Sequence, residues 1–151
     1  MSVETELRDY LLGDVTLTTI LTGGIYAWDE ETSRNGVNMN DTPAAYDADG
    51  ILLPCAVVKA PEVSDWGGIR DRKLASTSIR LEIYVYDEGR NSRDDAVLPA
   101  YGRIVALTDN ELVEGVGRMR HYHRLDIRDI DMSNALVTKA DFQVVGVRGN
   151  G

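Results

Sequence analysis

The stretch Ser76-Thr77-Ser78-Ile79-Arg80-Leu81-Glu82-Ile83-Tyr84-Val85-Tyr86 decides the fold. Ile79, Leu81, Ile83 and Val85 fall on one side of an extended chain, and Arg80, Glu82, Tyr84 and Tyr86 on the other. Such alternation marks a strand with one face on a core and the other turned outward. The rest of the chain is read outward from this strand.

Downstream, Asp87-Glu88-Gly89 ends the strand, and Ser92 with Asp95 three residues on resembles a capping box. The helix predicted within 92–110 carries Val97, Tyr101, Ile104 and Val105 on one stripe, with Pro99 either kinking it or delaying its start. After Gly115 and Gly117 a strand is expected over Arg118–Asp129. Regular alternation gives Met119, His121, His123, Leu125 and Ile127 one face, and Arg118, Arg120, Tyr122, Arg124 and Arg128 the other. A last strand, Leu136–Val147, sets Leu136, Ala140, Phe142 and Val144 against Lys139, Asp141 and Gln143.

Upstream, Leu52 to Lys59 is apolar on both faces, as a central strand should be, and Ile51–Lys59 is the expected span. Val3, Leu7, Tyr10 and Leu11 recur at helical spacing, with Ser2 as N-cap and Gly13 as stop; Asp14 caps a second short turn. Ile25 to Trp28 reads as a short strand. Two polar loops are expected at about 29–50 and 61–75, and loops of that length tend to be functional or mobile. The whole predicts one α+β domain over 1–151. Its mostly antiparallel sheet of four or five strands should carry two helices packed on one face.

Composition bounds the function. At 151 residues and 16.7 kDa the chain is one domain long, and no apolar run approaches the roughly 20 residues a membrane helix needs. The N-terminus lacks the basic start and cleavage site of a signal peptide, so the product is expected to be made in the cytosol. The single cysteine, Cys55, sits in an apolar run and reads as a small buried hydrophobe; it rules out an internal disulfide. With 25 acidic against 16 basic residues the net charge is −9, which at long range repels nucleic acid and anionic membranes.

Candidate chemistry is sparse. His121 and His123 would share a face and reach one cation, but no third ligand stands beside them, and two hydrogen-bonded histidines explain them as well. Asp47-Ala48-Asp49-Gly50 and Asp129-Ile130-Asp131 lack the full spacing of a calcium loop. No nucleophile elbow or phosphate-cradling loop is present. No catalytic, cofactor or metal residues are therefore assigned. The stripe Arg118, Arg120, Tyr122, Arg124 and Arg128 is either a solvated face or an interface meeting acidic loops, with Asp29, Glu30, Glu31, Asp41, Asp47 and Asp49 as partners. Trp28, Trp66 and Tyr84 are the aromatic residues that would add buried area.

The order of these blocks resembles one family. Glu4 to Leu11 is followed by Ile20-Leu21-Thr22-Gly23-Gly24-Ile25-Tyr26, then Leu53-Pro54-Cys55-Ala56-Val57-Val58, then Ile83-Tyr84-Val85-Tyr86-Asp87. Ile104-Val105-Ala106-Leu107 and two closing strands complete the chain. In this order it is similar to the tail terminator, or tail-completion, proteins of long-tailed siphophages. The resemblance implies an α+β virion subunit of the neck, without catalytic residues or cofactor. It would form a ring, a hexamer by expectation, that caps the tail tube, touches the tail tube protein and docks onto head-completion proteins. DNA would pass through its lumen without specific binding. Another neck or minor tail component and a histidine-based metal enzyme are the alternatives.

Overall fold

The computed structural model describes residues 2–28, 32, 36–60, 78–88, 93–129 and 135–145. Its elements are α1 (Val3–Leu12), α2 (Val15–Ile20), β1 (Ile25–Ala27), β2 (Cys55–Lys59), β3 (Ser78–Asp87), α3 (Val97–Thr108), β4 (Leu112–Val113), β5 (Gly117–Asp129) and β6 (Ala135–Val145). The fold is α+β. One sheet of six strands runs in the order β1-β2-β3-β6-β5-β4, antiparallel throughout except for the parallel pair β1 and β2. Among the described residues the sheet thus has more strands than expected, and there are three α-helices rather than two. β4, two residues long, has no period to read, and α2 is a helix in its own right.

Local chemistry sets the element ends. The Ser2 hydroxyl accepts from the Thr5 amide at 3.1 Å and caps α1. Gly13 closes α1 at φ −75°, an ordinary helical angle, so the helix stops there because Asp14 opens the next one, its carboxylate accepting from the Leu17 amide at 2.9 Å. Gly24 is a glycine that the backbone requires. At φ +102° it lies in the left-handed region, where a Cβ would also strike the Tyr26 ring. The expected capping box does not start α3: its N-cap is Ala96, with no side-chain bond, and Ser92 lies outside the described residues. Pro99 delays the helix rather than kinking it. It is the third helical residue, where no amide has an intrahelical partner to lose.

The core lies between the helices and one face of the sheet. Leu81, Ile83 and Val85 are fully buried there with Ala56, Val58, Ala140, Phe142 and Val144, against Leu7 and Leu11 of α1, Leu17 of α2 and Val97, Ala100 and Ile104 of α3. The side chain of Ile79 lies outside the described part. Val105, expected on the stripe, is only half-buried; Ala100 takes its place, and Tyr101 packs at the rim. The Tyr10 hydroxyl donates to the Leu107 carbonyl at 2.7 Å, tying α1 to α3.

The opposite face, which the alternation of β3 turns outward, is only partly open. Val37, Ala45 and Leu52, from the stretch before β2, pack on Cys55, Val57 and Ala135, with Tyr26, Trp28, Tyr46, Tyr84 and Tyr86 around them. Much of the presumed free polar loop is therefore a cover. A 3-10 turn at Pro43–Ala45 and the bridge between Tyr46 and Leu52 shape it. The 61–75 loop lies outside the described residues. Cys55 is fully buried, and burial pushes its thiol up to about 12.

Candidate functional site

The candidate surface is built on β5, whose pairing with β6 changes register midway. Met119 faces Val144, Arg120 faces Gln143 and His121 faces Phe142; then His123 faces Asp141 and Arg124 faces Ala140. Tyr122 is the extra residue of a β-bulge, and beyond it every side chain changes face. This breaks the expected stripe. Arg118 and Arg120, opposite Val145 and Gln143, lie on the outer face, whereas Arg124 and Arg128, opposite Ala140 and Leu136, lie on the helix face. The two histidines part for the same reason.

His121 sits on the helix face. Its Nε2 is 3.0 Å from the Tyr101 hydroxyl, and its ring meets Tyr101 and Phe142 edge-on. His123 sits on the outer face with Nδ1 2.8 Å from an Asp141 oxygen. They cannot close on one cation. Among the described residues no group of three or more His, Cys, Asp or Glu is placed to hold a metal ion.

On the helix face past the bulge, Arg124 holds Asp126 through two bonds of 3.0 and 2.7 Å and lies 5.2 Å from the Tyr101 ring. Thr138 donates to the same carboxylate at 2.8 Å. These bonds, that of Arg124 first, hold the Asp126 carboxyl below the usual range. Arg93, just before α3, donates to the carbonyls of Val137 at 2.7 Å and Ile127 at 3.0 Å.

The outer face holds a charge cluster that alternation alone does not reveal. Register sets Glu82 directly opposite Asp141, two acids that would repel, and both are only 5% exposed. Lys139 stands between them, its Nζ 3.5 Å from each. Tyr84 donates to Glu82 at 2.7 Å, and Arg80 approaches it at 3.6 Å. Burial, with Glu82 beside it, raises the Tyr84 hydroxyl well above its ordinary value. Lys139 fills the position between the carboxylates, so the cluster is a set of internal pairs. Its signal was cross-strand register, which a single strand's pattern does not carry.

The remaining candidates are placed as follows. Tyr84 stacks on Tyr86 with centroids 6.2 Å apart, and Trp28 lies under the Lys59 ammonium, 4.5 Å from its ring centroid. All three aromatic rings thus belong to the outer-face cluster. Asp47 accepts from the Asp49 and Ile51 amides at 2.8 and 2.9 Å and shapes its own turn; Asp49 is exposed. Asp41 accepts from Asn38 at 3.0 Å. Asp29, Glu30, Glu31 and Trp66 lie outside the described residues.

No family model matches the chain, and no curated protein matches it. Among solved structures it is similar to a crystal structure from Akkermansia muciniphila, at 10% identity over 97% of this chain and 76% of that one. The TM-score of that match is 0.41.

Proposed function

We propose that the chain is a virion structural subunit of a phage neck, a ring-forming tail terminator that caps the tail tube and joins it to the head. The observation that carries this reading is the order of elements. A helix and a short helix lead into a short strand, a polar cover and a central strand; an amphipathic strand, a long helix and two closing strands follow. The role is assembly rather than catalysis, with no cofactor.

A ring closes only through a contact joining two different patches of neighbouring copies. Arg118 and Arg120, exposed on the outer face, supply one charged patch, and the exposed turn around Asp49 an acidic one. Exposed ion pairs contribute at most about 1 kcal/mol each, so they orient copies while apolar contacts hold them. Val15, 77% exposed, and Leu12 offer such contacts on the helix side, and Leu112, opposite Arg118, offers one beside the charged patch. The partners are further copies in a ring, hexameric by this reading, then the tail tube protein and a head-completion protein, with DNA sliding through the lumen. An antibody to the chain should label the head–tail junction in particles of the virus that encodes it. Absence of the chain from purified particles overturns the reading.

A further inference from the structure

β5 has β6 along one side; among the described residues its other side is covered only at the start. Met119 donates to the Glu111 carbonyl at 3.0 Å, Asn110 to the Met119 carbonyl at 2.7 Å, and the His121 amide to Asp109 at 2.9 Å. From Tyr122 to Arg128 every residue is exposed, on both faces of the sheet. Among the described residues, no backbone hydrogen bond from outside the β5–β6 ladder reaches Tyr122 to Asp126. Natural edges are blunted by charged side chains, Pro, β-bulges or short length. This stretch has a bulge at its start and three charged residues but no Lys or Pro, and beyond the bulge it runs on with every residue to Arg128 exposed.

In a strand, the face of a side chain and the direction of its backbone groups alternate together. His121 faces the helices and points its amide away from β6, towards Asp109. Arg124 and Asp126 face the helices after the bulge and so present their backbone groups on the same open side.

We propose that this open edge pairs antiparallel with the same edge of a second copy, about a two-fold axis at Leu125. That register sets Arg124 of each copy opposite Asp126 of the other, twice, on the helix face. On the outer face it sets Leu125 on Leu125 and His123 beside Ile127; Leu125 and Ile127 are 40% and 39% exposed. The sequence of charges selects a second copy as the occupant. Opposite charges two residues apart, flanking an apolar residue, become mutually opposite only when the strand meets itself in reverse. This contact goes beyond the ring reading, whose interface is head to tail, and the two are tested separately.

The wild-type chain is expected to sediment as a dimer, or as a multiple of dimers. Arg124→Asp alone and Asp126→Arg alone each place like charges opposite each other twice, and each should weaken pairing on the order of a hundredfold. Mixing the two variants restores both opposite pairs, so the mixture should dimerise again. Under a mild oxidant Leu125→Cys should form a disulfide-linked dimer much faster than Val15→Cys, since Cys55 is buried in both. Circular dichroism of each variant checks that it is folded. A monomeric wild type, a mixture that stays monomeric, or equal crosslinking at the two positions overturns the proposal.

Discussion

Two residues show how single side chains hold this molecule. Ile83 is fully buried at the middle of β3, between Val58 and Ala140 in neighbouring strands. Replacing it with Ala leaves a cavity, and urea unfolding should show a loss of about 2–5 kcal/mol. A loss below about 0.5 kcal/mol would put that face in solvent. Asp14 works by charge: it caps α2 and receives two bonds from Arg103 of α3, at 2.9 and 2.7 Å. Those bonds, the Arg103 ones first, hold its carboxyl at about 2 against an ordinary 3.8. The folded group gives up its charge at lower pH than the unfolded one. Its contribution is therefore complete above pH about 4 and is lost as pH falls through about 2. Asp14→Asn should have a lower unfolding midpoint than wild type at pH 7, and the gap should narrow on acidification. A gap that stayed constant with pH would mean the carboxylate's charge is not what stabilises.

At the scale of elements, the bulge at Tyr122 is the feature with consequences. Because it turns His123 to the outer face, truncating His121 and His123 together should cost the sum of the single truncations, within about 0.5 kcal/mol. A coupling above about 1 kcal/mol in that double-mutant cycle would mean the two rings share a site. The same bulge explains what the sequence hid. β3 and β6 were legible because period-two alternation runs unbroken through Leu81, Ile83 and Val85 and through Ala140, Phe142 and Val144. One inserted residue leaves composition and period almost untouched, so the change of face after Tyr122 was not legible, and the arginine stripe was read across it. The cover on the outer face was missed because Val37, Ala45 and Leu52 are single apolar residues without a period. The start of α3 was misplaced because Ala96 offers no capping side chain to recognise.

For the whole molecule, the division of the arginines narrows what a neighbouring copy can meet. Arg118 and Arg120 share the outer face before the bulge and are exposed, while Arg124, bonded to Asp126 beside Tyr101, lies on the helix face at the edge proposed above to pair with a second copy. If copies in a neck ring are oriented by this outer face, the pair to reverse is Arg118→Glu with Arg120→Glu. Exposed charges on a strand contribute little to folding, and the bond that Arg118 makes to the Asn110 carbonyl, at 3.0 Å, lies at the surface. The thermal midpoint should therefore move by only a few degrees, in line with a surface change of about 0.5 kcal/mol. The effect on assembly should be larger. Reversal sets like charge against the acidic turn of the next copy and repeats the penalty at every contact round the ring. Complementation with the double variant should then yield overlong or headless tails, counted by electron microscopy. Normal particles would leave Arg118 and Arg120 as solvated residues and move the search for the ring contact to Leu12, Val15 and Leu112.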